Sequence, residues 1–187
     1  MSAEIAAARL NRAMSNWSEA LIPSAWEKSH RADPKPRAVA DNHYSRQKVG
    51  SIGFVPPGRC YVLYAENEID AAQRAYWVTS WPFAEYVKHR WAGAWVCSAY
   101  RREGFPCDAS QMIRQAVALT RGYYGDAPEL GMITFVDRKK VRPTKVRGKD
   151  VWGWTFMKAG FEPDGETKGG LLALRLRPEN MPLPRFC

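Results

Sequence analysis

Two residues that lie far apart in this sequence have the chemistry of a catalytic or metal-binding pair. His43 stands beside Tyr44, and Asp137 follows the apolar run Met132–Val136. A neutral imidazole can accept a proton or bind a metal, so a His–Asp pair would serve general-base catalysis or metal binding. We expect the fold to bring His43 and Asp137 together. The alternative for Asp137 is that it caps a turn or pairs with the adjacent Arg138.

The positive charge of the chain is concentrated in one segment. The 187 residues include 28 Lys and Arg against 19 Asp and Glu, a formal net charge of +9. Residues 138–149 contain no acidic residue, and their basic residues are Arg138, Lys139, Lys140, Arg142, Lys145, Arg147 and Lys149. A cluster of one sign predicts a polyanionic partner such as nucleic acid or a nucleotide cofactor. The alternative is a solvated basic loop with no partner.

The elements that position these residues follow from the hydrophobic pattern. Strands are predicted at Cys60–Ala65, Tyr76–Trp81, Ala94–Tyr100, Met132–Val136 and Leu171–Leu176. The clearest helix begins after Asp108 and stops at Gly122, and a shorter helix lies around Trp152–Ala159, with Gly160 as its left-handed cap. This order predicts an α/β domain with a mixed sheet flanked by helices over residues 40–187. Residues 1–39 are predicted to be an N-terminal helix, over 3–21, and a proline-punctuated connection.

The segment RREGFP at residues 101–106, which opens the long helix, resembles the R/Q-x-x-G-x-G/A turn of the GCN5-related N-acetyltransferase (GNAT) superfamily. Arg101 and Gly104 match the first two anchors, and Pro106 departs from the third. The resemblance implies a splayed central sheet with acyl-coenzyme A in the gap. Its pyrophosphate is expected at the turn and helix start, because free N–H groups and the helix dipole attract phosphate. The residues expected to bind it are Arg101, Arg102, Gly104, Asp108 and Ser110. A plain turn before a capped helix is the alternative.

A narrower resemblance, over roughly residues 40–176, is to the Mom family of bacteriophage DNA-modification proteins. It is carried by Asn42–Ser45, by Thr134–Asp137 and by the segment VWGWTFMKAGF at Val151–Phe161. The resemblance implies transfer of an acyl-derived group from acetyl-coenzyme A to N6 of adenine in DNA, which protects the DNA from restriction. It also implies catalytic roles for the residues matching the family's motifs, which are His43, Tyr44 and Asp137. Because the family has been associated with iron, His43 and Asp137 are also expected as metal ligands.

An enzyme that acts on N6 of adenine in double-stranded DNA must flip the base out of the stack and hold it on aromatic side chains. Trp152, Trp154 and Phe156 stand beside the basic segment, where the family has a tyrosine. Tyr44, Tyr123 and Tyr124 are the candidates to replace that tyrosine. Phosphate contacts are expected to position the DNA without specifying its sequence. The residues predicted to contact DNA are Arg46, Arg138, Lys139, Lys140, Arg142, Lys145, Arg147 and Trp154.

Several classes of protein are excluded or disfavoured by the sequence. No apolar run approaches the roughly 20 residues of a membrane helix. Charges at Glu4, Arg9 and Arg12 interrupt the segment where a signal peptide would be apolar. A cytoplasmic protein is therefore predicted, in the host cytoplasm if phage-encoded, with no membrane partner and with a homodimer as one possible state. Two alternative functions stay open: a GNAT enzyme acting on a small amine or a protein lysine, and a non-catalytic DNA-binding protein.

Overall fold

The computed structural model describes residues 24–83, 85 and 87–186, and the helix predicted over residues 3–21 lies outside them. Its strands are β1 (Glu27–Ser29), β2 (Arg59–Glu66), β3 (Arg74–Trp81), β4 (Trp95–Glu103), β5 (Met132–Val136), β6 (Thr144–Val146), β7 (Lys149–Val151), β8 (Glu162–Glu166) and β9 (Leu172–Leu176). Its helices are α1 (Pro34–Ala40), α2 (Ala109–Tyr124) and α3 (Trp154–Lys158), followed by a 3-10 turn at Pro178–Asn180.

Seven of these strands form one mixed sheet in the order β1-β2-β3-β4-β5-β9-β8. Neighbours are antiparallel except for β4 and β5, which run parallel. The prediction of an α/β chain with a mixed sheet is therefore confirmed. The five predicted strands are β2, β3, β4, β5 and β9, each within two or three residues of its predicted ends.

The two faces of the sheet are covered by different elements. α2 buries an apolar stripe, including Met112 and Ile113, against a core that contains Trp77 and Trp95. On the other face, Val39 of α1 packs in a smaller cluster with β2 and β3. Burial of these faces, at about 25 cal/mol per Å² of apolar surface, is the main stabilising term of such a domain.

β4 and β5 pair over only three residues and then diverge. Their register runs from Trp95 opposite Met132 to Cys97 opposite Thr134. β4 continues beside β3 as far as Arg102, with an irregularity that leaves Ser98 without an opposite residue. Such a β-bulge bends its strand and increases the local twist. The result is a gap that opens between β4 and β5 on the carboxyl side of their short pairing.

The proline-punctuated segment is not the simple connection that the sequence predicted. Its residues form β1, which pairs with β2, and then α1, whose N-cap Asp33 accepts a hydrogen bond from Lys35 N and is followed by Pro34. An Asp–Pro pair is a helix-start signal, because proline fits the first helical position. The predicted boundary between residues 39 and 40 therefore falls inside α1, and the residues from Glu27 onward belong to the sheet.

The glycines at the ends of the helices differ from prediction in one case. α2 continues past Gly122 to Tyr124 and is capped by Gly125, which has a φ of +88°. Gly122 instead allows a close approach, because a Cβ there would overlap the carbonyl oxygen of Arg185 in the carboxyl-terminal tail. Gly160 has the predicted left-handed conformation after α3, with a φ of +100°.

Candidate functional site

The gap between β4 and β5 is a cleft of about 340 Å³. Its walls are Ser98–Tyr100 of β4, Thr134–Val136 of β5 and Gly153–Phe156 at the start of α3. His43 and Tyr44 close one side, and Arg142 with Thr144 of the basic segment borders another. None of the described residues that line the cleft is Asp or Glu. A cleft with such walls favours neutral or anionic ligands over cationic ones.

Tyr44 stands where the two strands diverge. The turn after α1 places it there, with His43 N donating to Ala40 O at 2.9 Å. The hydroxyl of Tyr44 donates to Phe135 O at 3.3 Å and accepts from the backbone N–H of Asp137. Burial raises the pKa of Tyr44, so its hydroxyl keeps its proton at neutral pH. Tyr44 therefore satisfies backbone groups that β5 exposes when it leaves β4.

The imidazole of His43 is neutral, and its tautomer is set by Ser45. The backbone N–H of Ser45 donates to Nδ1 at 3.2 Å, and the Ser45 hydroxyl lies 2.7 Å from the same atom. Burial, with a smaller contribution from the positive charge of Arg101, lowers the pKa of His43 to about 4. Because Nδ1 accepts, the proton of the neutral ring is on Nε2. His43 is thus arranged to donate a hydrogen bond from Nε2, and its role as a general base stays a prediction.

The side chain of Asp137 caps a turn, which is the alternative that the sequence left open. Its Oδ1 accepts from Lys139 N at 2.9 Å, while its carbonyl accepts from Lys140 N at 3.0 Å. Asp137 does not line the cleft beside His43, and its backbone N–H and its negative charge both act on Tyr44. The predicted partnership of two side chains, His43 and Asp137, is replaced by a backbone contact.

An iron site at His43 and Asp137 does not fit this arrangement. Asp137 does not line the cleft that His43 borders, and Nδ1 of His43 and Oδ1 of Asp137 each accept a hydrogen bond from a backbone N–H. Across the described part of the chain, no group of three or more His, Cys, Asp or Glu side chains could hold a metal ion. We therefore assign no metal to the site.

The start of α2, where a donor's pyrophosphate was predicted, already carries a carboxylate. Asp108 accepts from the Ser110 hydroxyl, from Ser110 N at 2.8 Å and from Gln111 N at 3.1 Å, and it pairs with Lys158 at 3.3 Å. The hydrogen bond from the Ser110 hydroxyl is the largest cause that lowers the pKa of Asp108 to about 2. The helix end thus has an anion of its own, and a phosphate there would meet a negative charge.

The arginines of the RREG turn are also engaged within the chain. Arg102 donates to Phe105 O at 2.7 Å and to Cys107 O at 2.8 Å, and Arg101 pairs with Glu103 at 2.8 Å. Gly104 supplies a φ of +64°, which the turn requires. These contacts favour the structural interpretation of the turn. A role for these residues in donor binding stays a prediction.

The basic segment forms a hairpin that adjoins the cleft. β6 and β7 pair in register, and Arg147 and Gly148 make the turn with φ values of +48° and +78°. Arg138 pairs with Glu166, and Lys145 pairs with Asp150. Exposed pairs of this kind contribute about 0–1 kcal/mol, so a polyanion could displace them. Within this segment, the exposed basic residues for which the described chain provides no acidic partner are Lys139, Lys140, Arg142, Arg147 and Lys149.

Arg46, another predicted DNA contact, has a structural role instead. Its Nε donates to Asp41 at 2.7 Å, and its two Nη atoms donate to Gly53 O and Ser51 O, each at 2.7 Å. The Arg46 side chain is only 9% exposed. It fixes the loop after α1, and a phosphate contact would require these hydrogen bonds to break.

The aromatic residues beside the hairpin divide between core and cleft. Trp152 donates its indole N–H to Val141 O at 3.1 Å, and Phe156 packs edge-on against Tyr100 and Phe161. Trp154 is half-buried and lines the cleft, as does Phe156. Trp154 is therefore the tryptophan of this group that is placed to meet a ligand.

Of the tyrosines proposed to replace the family's tyrosine, only Tyr44 lies at the cleft. Tyr123 and Tyr124 are in the last turn of α2, where Tyr123 stacks on Tyr61 with ring centroids 4.3 Å apart. The sequence reasoning missed Tyr100 and Ser98, which line the cleft from β4. Their position directly before the RREG turn was the signal that could have identified them.

No helix in the described part of the chain is long and apolar enough to cross a membrane. Comparisons of the chain with protein-family models, with curated proteins and with solved structures find no match. The function proposed below rests on the resemblance of its motifs and on the geometry of the cleft.

The depressed pKa of His43 predicts a pH-dependent loss of stability. The imidazole titrates near 4 in the folded chain and near 6.5 when unfolded, so between these values the unfolded chain binds the extra proton. The free energy of unfolding should be intact above pH 7 and fall as the pH is lowered toward 4. Urea unfolding measures this decrease in the free energy of unfolding. We expect the decrease to be roughly 1–3 kcal/mol greater for the native chain than for His43→Gln. Equal falls would contradict the buried, neutral state of His43.

Proposed function

We propose that this chain is a GNAT-like transferase that moves an acyl-derived group from acetyl-coenzyme A to N6 of adenine in double-stranded DNA. The observation that supports it most is the cleft itself. Two parallel strands diverge at a bulge, His43 and Tyr44 stand at the divergence, and an exposed basic hairpin borders the opening. Acidic side chains are missing from the described cleft walls, which suits a substrate that carries phosphates.

The cleft offers a binding surface to the extended arm of an acyl-thioester donor. Among the described residues, β4 has no strand partner on its β5 side from Ser98 to Arg102. An extended chain can add to such an edge by hydrogen bonds to its backbone. When bound, acetyl-coenzyme A supplies an activated thioester. In the proposed transfer the N6 amine forms a bond to the thioester carbonyl carbon, the C–S bond breaks, and coenzyme A leaves as a thiolate that takes up the proton released by the amine. The predicted phosphate site at the start of α2 fits the donor less well, because Asp108 is ionised there.

In this proposal the residues of the cleft polarise the reacting carbonyl group and orient the two substrates. The Nε2–H of neutral His43 donates to the oxygen that gains negative charge, as preorganised donors do in acyl transfer. Tyr44 holds the ends of the diverging strands in place. Trp154 provides an aromatic face at the wall of the cleft. The hairpin residues Lys139, Lys140 and Arg142 bind the phosphates beside the flipped nucleotide.

A second candidate is a DNA-binding protein without transferase activity. Two observations favour it. The Asp108 carboxylate occupies the helix start where the donor's pyrophosphate was expected, and the Asp137 carboxylate accepts a hydrogen bond within a turn. The GNAT enzyme acting on an alkylamine is less well supported. A protonated amine would find no carboxylate among the described cleft residues to neutralise it.

The proposed function is tested by mass spectrometry of nucleosides from DNA of cells that express the chain. We expect a modified deoxyadenosine with the native chain and at least tenfold less with His43→Ala, because loss of a preorganised donor costs about 10²–10³ in rate. His30→Ala is the matched control and should retain the product, because His30 is exposed and does not line the cleft. An unmodified profile from soluble native protein would favour the DNA-binding alternative.

The role of the hairpin predicts a specific salt dependence. Replacing Lys139, Lys140 and Arg142 by alanine should weaken DNA binding and reduce the slope of log K against log salt by roughly 2–3, since each phosphate contact contributes about 0.9. Lys35→Ala with Lys168→Ala is a control for the loss of surface charge, because both lie away from the cleft. An unchanged slope in the hairpin variant, measured by fluorescence anisotropy, would remove the hairpin from the interface.

Removing the negative charge of Asp108 is predicted to strengthen the binding of acetyl-coenzyme A. Asp108→Asn keeps an N-cap side chain and removes the negative charge, so acetyl-coenzyme A should bind about fivefold more tightly if its phosphates lie at this helix end. Isothermal titration calorimetry of the native chain and the variant measures this difference. Equal affinities would place the phosphates elsewhere, and the absence of binding to both would contradict the choice of donor.

A further inference from the structure

A second cavity adjoins the cleft at His43. It has a volume of about 390 Å³, and it shares three lining residues with the cleft: His43, Ser98 and Ala99. Two of these belong to the bulged part of β4, and the third is the neutral imidazole. A group that passes from one cavity to the other must cross this common wall.

The second cavity has a rigid outer wall. Its floor is Tyr76 and Val78 of β3, and its outer wall is the loop after α1, including Phe54 and Val55. Arg46 holds this loop through its hydrogen bonds to Asp41 and to two loop carbonyls. Asp41 also accepts from Gly50 N at 3.1 Å, so both ends of the ion pair fix the same loop. These hydrogen bonds tie the outer wall of the cavity to the turn after α1.

The chemistry of these walls suits a flat, uncharged ring with a polar edge. Tyr76, Phe54, Pro56 and Pro57 provide apolar faces, and Gln47 provides an amide with both a donor and an acceptor. Within the described residues that line the cavity there is no Asp or Glu, while Arg46 and Lys48 are positive. An alkylammonium would be disfavoured, whereas a nucleobase attached to a phosphate backbone would be accommodated.

We propose that this second cavity binds the flipped nucleobase, so that its exocyclic amine reaches the donor across the wall formed by His43 and Ser98. The inference rests on the proposed function and adds to it a location for the acceptor. It assigns base recognition to the loop after α1, held by Arg46, and not to the tryptophans beside the hairpin. Gln47 is the residue that can read the polar edge of the base.

The test uses duplex DNA that carries 2-aminopurine at one position, whose fluorescence rises when the base leaves the stack. Val55→Trp fills the second cavity, and Ile52→Trp is the matched control, because Ile52 is on the same loop, 67% exposed, and does not line the cavity. We expect the fluorescence rise with the native chain and with Ile52→Trp, and its loss with Val55→Trp. Gln47→Ala, at an exposed position, should weaken the rise about tenfold in apparent affinity without affecting the fold.

The outcomes separate this inference from the proposed function. Thermal unfolding checks that the Val55→Trp variant is folded. If this variant is not folded, the fluorescence result for Gln47→Ala tests the inference instead. A fluorescence rise that survives both substitutions, or that never occurs with the native chain, would overturn the inference. If modified nucleosides form while the second-cavity variants stay active, the proposed function stands and the base binds elsewhere. If flipping depends on the second cavity and no modified nucleoside forms, the transferase proposal fails while the base-binding site remains.

Discussion

The short parallel pairing of β4 with β5 is the constraint on which the candidate site depends. Parallel strands that pair fully would leave no space between them, but here the register ends at Cys97 and Thr134. Beyond that point the backbone groups of both strands need other partners, since buried unpaired amides and carbonyls are costly. Tyr44 supplies a partner to Phe135 and Asp137 on the β5 side. Within the described residues, the β4 side has no strand partner from Ser98 onward, and the proposed function places the extended donor there.

The electrostatics of the site follow from the same arrangement. The loop that delivers Tyr44 also delivers His43, and the burial of its ring between the sheet and the loop keeps it neutral. The carboxylates near the site are all used in local structure: Asp108 in a helix cap, Asp137 in a turn, and Asp41 with Arg46 in the loop. Because these carboxylates are paired or hydrogen-bonded, the basic residues of the hairpin make the electrostatic potential around the cleft opening positive. This combination favours a polyanion at the opening of the cleft and a neutral reacting group within the cleft.

The sequence predicted the main strands and both later helices, because their apolar periodicity matches the faces that they bury. It also identified Asp108 as a cap and Gly160 as a left-handed stop, since local chemistry alone decides these positions. It did not predict β1 or β8, which are short, polar edge strands whose pairing depends on their neighbours. Nor could it predict that His43 and Asp137 point to different partners, because the orientation of a side chain depends on tertiary contacts. Arg46 shows the same limit. Its charge predicted a DNA contact, whereas its buried side chain holds the loop after α1.

The most direct measurement is to incubate the purified chain with duplex DNA and acetyl-coenzyme A labelled with carbon-14 in the acetyl group. After the protein is removed, the label in each nucleoside is determined. The account predicts label in an N6-substituted deoxyadenosine, and at least tenfold less label when His43→Ala replaces the native chain. Label that stays in free acetyl-coenzyme A, while the chain still binds the DNA, would contradict the claim that the cleft between β4 and β5 transfers a group to the base.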